Sequence, residues 1–126
     1  MNILLAVAVG GALGAVGRYL LIGQVVSWLG AGFPFGTLAA NVIGSFVMGV
    51  LVEAGALFWS PSPELRAFLT VGLLGAFTTF SSFSLEVALL YQRGELGLAA
   101  LYIAASVILC VLGLFLGLWL VRGVVA

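Results

Sequence analysis

The chain has 126 residues, of which 64% are hydrophobic and 6% charged, with net charge zero and no histidine. A soluble domain carries roughly 25% charged residues, so this chain cannot cover a water-facing surface. Disorder demands low hydrophobicity and high net charge, and four arginines make no nucleic-acid-binding stripe. One cysteine excludes a disulfide scaffold and, with no histidine, the common zinc and iron sites. The composition is that of a small integral membrane protein.

The charges punctuate the chain. Met1 to Gly17 carries none, and Tyr19 to Val52 is a run of 34 uncharged residues. Ala67 to Leu85 is another of 19, and Leu96 to Val121 another of 26. A helix crosses the hydrocarbon core with about 20 apolar residues. The run from Tyr19 is too long for one span, and Gly30-Ala31-Gly32-Phe33-Pro34 divides it as a turn with interfacial aromatics. Four spans are expected, roughly 3–27, 35–57, 65–91 and 96–121, making residues 1–126 a single all-α transmembrane domain. The N-terminal stretch reads as the first helix rather than a signal peptide, because it lacks a basic n-region. Glu53, Glu64 and Glu95 lie near span ends and read as interfacial charges.

Small residues recur at four-residue spacing: Gly10 and Gly14, Ala40 and Gly44, Ser45 and Gly49, Gly113 and Gly117. In lipid, helices associate by the close packing that small residues permit. With four spans, Arg66 and Arg122 fall on the terminal side and Arg18 and Arg93 nearer the other. Orientation follows an excess of Lys and Arg in cytoplasmic loops, and here there is no excess. Both orientations are expected, so that opposite copies pair as an antiparallel, dual-topology homodimer.

Polar groups at membrane depth are functional candidates. Asn41 lies several residues inside the second span, with two N–H donors and an acceptor oxygen. The third span reads Gly72-Leu73-Leu74-Gly75-Ala76-Phe77-Thr78-Thr79-Phe80-Ser81-Ser82-Phe83-Ser84. Its glycines and paired threonines weaken a helix, and a break near the middle of the span is expected. Carbonyls freed there are tolerated only when buried or lining a cavity. With no acid beside them they suit Na⁺ better than a divalent ion. Phe80 and Phe83 share one side of the following helix, alternating with hydroxyls. Ring edges are electropositive, and with hydroxyl donors they form a shallow anion site of the kind conduction requires. Tyr102, Ser106 and Cys110 make one polar stripe on the fourth span. Arg18 either snorkels or supplies positive charge at a vestibule. Glu86, one turn past Ser82, is the sole plausible proton relay.

These residues resemble the Fluc/CrcB family of fluoride channels. The resemblance rests on Gly10-Gly11 through Gly14-Ala15 to Arg18-Tyr19, on Gly36-Thr37 with Asn41, Gly44 and Gly49, and above all on the Gly72–Ser84 segment. It implies an antiparallel homodimer with two narrow pores, exporting fluoride passively across the inner (plasma) membrane and conferring fluoride resistance. It further implies that Phe80 and Phe83 present ring edges and Asn41 donates to the ion. Ser81, Ser84, Thr37, Tyr102 and Ser106 would line the path, and Gly75 and Thr78 would give carbonyls to a structural Na⁺ at the dimer axis. A hydroxyl is the more natural residue where Cys110 stands. The alternative is a small dual-topology, proton-coupled exporter of organic cations. That chemistry needs a membrane-embedded carboxylate, and the first span holds no acid.

Overall fold

A computed structural model describes residues 2–125, all helix and connecting turn. Helix α1 spans Ile3–Leu29 and α2 Phe35–Leu57. The third span begins as α3, Pro63–Arg66, widens into a π-helix over Ala67–Leu74, and ends its first half with α4, Gly75–Phe77. It resumes as α5, Phe80–Gln92, and α6 follows over Leu96–Val125. Four stretches are long and apolar enough to cross a membrane: Ile3–Leu29, Phe35–Leu57, Pro63–Gln92 and Leu96–Val124. Leu4, Leu20, Trp28, Leu85, Leu112 and Trp119 are among the large apolar side chains exposed on them. Such a surface is stable only in lipid, and the protein is a multi-pass membrane protein.

Local chemistry explains the boundaries. Asn2 caps α1 by accepting from the Leu4 and Leu5 amides, and Ser62 caps α3 by accepting from Leu65, with Pro63 opening the helix. The turns after α1 and α5 use Gly30 and Gly94 at φ of 80° and 79°, a region costly for residues with a Cβ. The second of these stretches is Phe35–Leu57, and the others run a few residues beyond 3–27, 65–91 and 96–121.

Packing follows the small residues. Helix α1 lies along the π-helix and α4, and α2 lies along α6. A Cβ on Gly14 would strike the Leu73 carbonyl, and one on Gly49 the Leu114 carbonyl, so backbones touch at both crossings. Gly44 makes room for the Thr78 methyl, which brings α2 against the interruption of the third span. The π-helix has no counterpart in the sequence reading. π-turns concentrate at functional sites, and this one leads directly into the break. At its start the Thr70 hydroxyl donates to the Arg66 carbonyl at 2.7 Å.

Candidate functional site

The break falls at Thr78 and Thr79, near the middle of the third span as expected. Both are extended, at φ/ψ of −92°/156° and −151°/120°. Thr78 ends α4, its N–H and its hydroxyl both donating to the Leu74 carbonyl. Thr79 starts α5 by accepting from the Ser82 N–H at 3.1 Å. In an unbroken helix the Thr79 N–H would go to the Gly75 carbonyl and the Ser82 N–H to the Thr78 carbonyl. Here the first goes to Asn41 and the second to the Thr79 hydroxyl. The carbonyls of Gly75 and Thr78 are thereby released, and Gly75 is exposed on the protomer's surface.

Asn41 splints the gap from α2. Its Oδ1 accepts from the Thr79 N–H at 2.7 Å and its Nδ2 donates to the Thr79 carbonyl at 3.1 Å. One N–H of the amide is left over for a ligand. The half-buried Arg18 reaches across from α1, its Nε donating to the Ala76 carbonyl at 3.0 Å. A cation there complements the negative end of the half-helix. Arg18 is thus tied to the break rather than snorkelled to an interface.

Beside the break lies a cavity of about 350 Å³ between α2, α5 and α6, lined by Asn41, Ser45, Thr78, Thr79, Phe80, Phe83, Ser106 and Cys110. The Phe80 and Phe83 rings are tilted at 46° with centroids 5.4 Å apart. Phe83 is buried, whereas Phe80 is 77% exposed and turns its ring outward from the protomer. The Ser106 hydroxyl is buried and has no partner among the described residues. Ser81 and Ser84 are not gathered with this group. Both are exposed, Ser81 within 3.3 Å of the Thr79 hydroxyl and Ser84 donating to the Phe80 carbonyl of its own helix.

Thr37 and Tyr102 also lie apart from this cavity. Both are fully buried, and both donate to Glu86: Thr37 Oγ1 to Oε2 at 2.9 Å, Tyr102 OH to Oε1 at 2.9 Å. A carboxylate at membrane depth is costly unless its oxygens are satisfied, and these two hydroxyls satisfy one oxygen each. Thr37 and Glu86 face a second cavity of about 320 Å³ with Phe33 and Arg93 on its wall. Tyr102 packs between Phe33 and Phe83, at centroid distances of 5.4 and 5.1 Å. As an isolated acid in the sequence, Glu86 suggests only a proton relay, and the cluster around it is not legible there. Its sole signal was an acid one turn past a serine.

One charged residue departs from its expected setting. Glu53 is near a span end but buried, and it pairs with Arg122 of α6 at 3.1 Å.

A broken span whose gap is held by a neighbouring amide, within four helices long and apolar enough to cross a membrane, defines a small multi-pass membrane protein with an interrupted third span. The family model described as CrcB-like protein, Camphor Resistance (CrcB), matches residues 5–118, and the chain belongs to this family. The fluoride-specific ion channel FluC of Rhodospirillum centenum is 60% identical over 126 residues, the whole of both chains. The protein of the same name from a Chelativorans species is 52% identical over 121 residues, 96% of this chain and 97% of the relative. That of Agrobacterium fabrum is 51% identical over 116 residues, 92% of this chain and 93% of the relative. These names describe channels, not enzymes.

Proposed function

We propose that this chain is a fluoride-selective channel of the bacterial inner membrane that exports fluoride passively and so confers fluoride resistance. The observation that carries the reading is the cavity at the break. It sets the buried, unpartnered Ser106 hydroxyl beside Asn41 and the Phe80 and Phe83 rings, with no acid on its wall. Hydroxyl and amide donors and ring edges offer partial positive charge to a small, strongly hydrated anion without holding it too deeply. Fluoride enters cells as neutral HF, dissociates at cytoplasmic pH and is trapped. A negative-inside potential then drives the anion outward by about 2.3 kcal/mol per charge per 100 mV. The proton-coupled exporter draws no support from the relatives.

The same reading includes an antiparallel homodimer. A single protomer leaves Gly75, the Phe80 ring, Ser81 and Ser84 exposed beside the break. A released carbonyl facing hydrocarbon is costly, and a second copy laid across this face would cover it and complete the wall of each path.

The Gly75 and Thr78 carbonyls fit a structural Na⁺. They are uncharged oxygens released from helical bonding, and no group of three or more Cys, Asp or Glu side chains that would favour a divalent ion occurs among the described residues. The ion would supply fixed positive charge between protomers. Holding these carbonyls in place is the task of the Asn41 amide and the two threonine hydroxyls.

The decisive experiment is anion efflux from liposomes containing the purified chain. Fluoride efflux far faster than chloride efflux is expected, and equal rates for the two anions, or none, would remove the proposal.

A further inference from the structure

A groove of about 290 Å³ runs between the end of α2 and the start of the third span, away from the break. Leu51, Val52, Gly55 and Ala56 of α2 form one wall at helical spacing, and Leu69 and Thr70 form the other. The chain reverses between Phe58 and Ser62, so the two helices run antiparallel along the groove. Trp59 and Arg66 therefore stand together at the loop end, and Leu51 and Thr70 at the inner end. Val52 and Ala56 are exposed, and the groove opens on the protomer's surface. A Cβ on Gly55 would meet nothing within 4 Å, so this glycine borders the open space.

Polarity grades along the groove. Its loop end carries an indole, the side chain that settles at membrane interfaces, and a guanidinium. Its inner end is apolar, because the Thr70 hydroxyl is spent on the Arg66 carbonyl at 2.7 Å. Arg122 is paired with Glu53, and Arg18 is held by the Ala76 carbonyl. The Arg66 guanidinium has no hydrogen-bond or ion-pair partner among the described residues. No acid lines the groove, since Glu64 borders a separate cavity with Ala6, Leu65 and Phe68. On the other side of Arg66 a second groove, of about 340 Å³, is bordered by Pro61, Pro63, Ala67 and Val71.

We propose that Arg66 and these two grooves bind an anionic phospholipid. The headgroup phosphate pairs with the guanidinium, whose planar fork matches phosphate oxygens. The Trp59 N–H is a further donor at the same level. One acyl chain lies along Leu51, Val52 and Leu69, the other past Ala67 and Val71. A single cation between two apolar grooves matches a molecule with one phosphate and two chains. Free phosphate would engage the guanidinium and leave both grooves unused. A zwitterionic lipid brings its own ammonium to compete for the phosphate, so the net-negative headgroup is preferred. The site does not depend on the fluoride-channel reading.

The test is native mass spectrometry of the purified chain, titrated with phosphatidylglycerol or phosphatidylcholine of identical acyl chains. Wild type, Arg66→Gln, Arg66→Lys and Gly55→Leu are compared, with gel filtration and melting to show that each is folded. The wild-type chain should bind its first phosphatidylglycerol about fivefold more tightly than phosphatidylcholine, the size expected of one cationic side chain near an anionic lipid. Arg66→Gln should bind the two lipids alike, and Arg66→Lys should keep the preference. Gly55→Leu keeps the cation but fills the groove, and it should weaken binding of both lipids. Equal binding of the two lipids by wild type overturns the site, as does a preference that persists in Arg66→Gln. Indifference in Arg66→Lys would show that charge is not the cause and overturns the phosphate pairing. Undiminished binding by Gly55→Leu would leave the lipid outside the groove and overturns the chain-binding walls.

Discussion

Asn41 and Thr79 meet as amide against peptide, each donating to the other, at 2.7 Å from the Thr79 N–H and 3.1 Å to its carbonyl. A side chain from α2 thereby replaces the backbone partners that the third span gives up at its gap. The pairing explains how two extended residues persist at membrane depth, where unsatisfied peptide groups are expensive.

Asn41→Ala orphans both Thr79 groups. At about 1–3 kcal/mol for each, the variant should unfold in detergent at clearly lower temperature and conduct fluoride at least tenfold more slowly. Asn41→Asp keeps the acceptor but loses the donor, and its carboxylate faces the Thr79 carbonyl. It should be at least as impaired in efflux as the alanine variant. Unchanged melting of Asn41→Ala would remove the splint.

Phe80 and Phe83 separate by burial. Phe83 lies between Phe80 and Tyr102, at centroid distances of 5.4 and 5.1 Å, so Phe83→Ala opens a cavity costing about 3–5 kcal/mol. Phe80 is 77% exposed in the protomer, and Phe80→Ile should leave the fold intact. The isoleucine keeps bulk and discards the ring quadrupole. Fluoride efflux should drop sharply in both Ile variants, and Phe→Met should be milder. Gel filtration of the same preparations checks assembly. Normal efflux from a correctly assembled Phe80→Ile/Phe83→Ile double variant would leave both rings with packing alone.

Tyr102→Phe removes one of the two hydroxyls that hold Glu86. A hydrogen bond to a charged group contributes about 1.5–3 kcal/mol, and the variant should lose thermal stability in that range. Glu86→Ala should lose less than the sum of Tyr102→Phe and Thr37→Val, because all three act on one cluster. Additive losses in a double-variant cycle would show the hydroxyls and the carboxylate to be independent.

Removal of Na⁺ should slow fluoride efflux or loosen the dimer, since the Gly75 and Thr78 carbonyls cannot be neutralised by protonation. Lithium or N-methylglucamine replacement, read by efflux and by cross-linked dimer yield, measures this. The direction of fluoride movement should ignore the sodium gradient. Efflux that reverses with that gradient would identify a coupled transporter.

A pair of C-terminal reporters, one active inside and one outside, should both signal, since four arginines give neither side of the spans a decisive positive excess. Adding two or three lysines after Ala126 should bias insertion and lower function until an oppositely biased copy is co-expressed. A wild-type chain found in one orientation would remove the antiparallel dimer.

Sequence alone determined the four spans, the gap in the third and the stripes of small residues. Each is a local property: charge spacing sets span length, paired threonines end one helix and cap the next, and glycine at four-residue intervals repeats on one face. Only the tertiary structure decided how the polar residues were shared out. Asn41 lies 38 residues from Thr79, and Thr37 lies 49 from Glu86. No helical period relates such pairs, because their meeting depends on how α2 crosses the third span. The π-helix over Ala67–Leu74 was equally illegible. Its sequence is ordinary apolar helix, and its wide turns lie where Gly72 and Leu73 press against the Gly10 and Gly14 face of α1. The separation of Ser106 and Cys110 from Tyr102 has the same origin. Ser106 and Cys110 line the cavity beside the break, whereas Tyr102 of the same stripe packs against Phe83 and donates to Glu86.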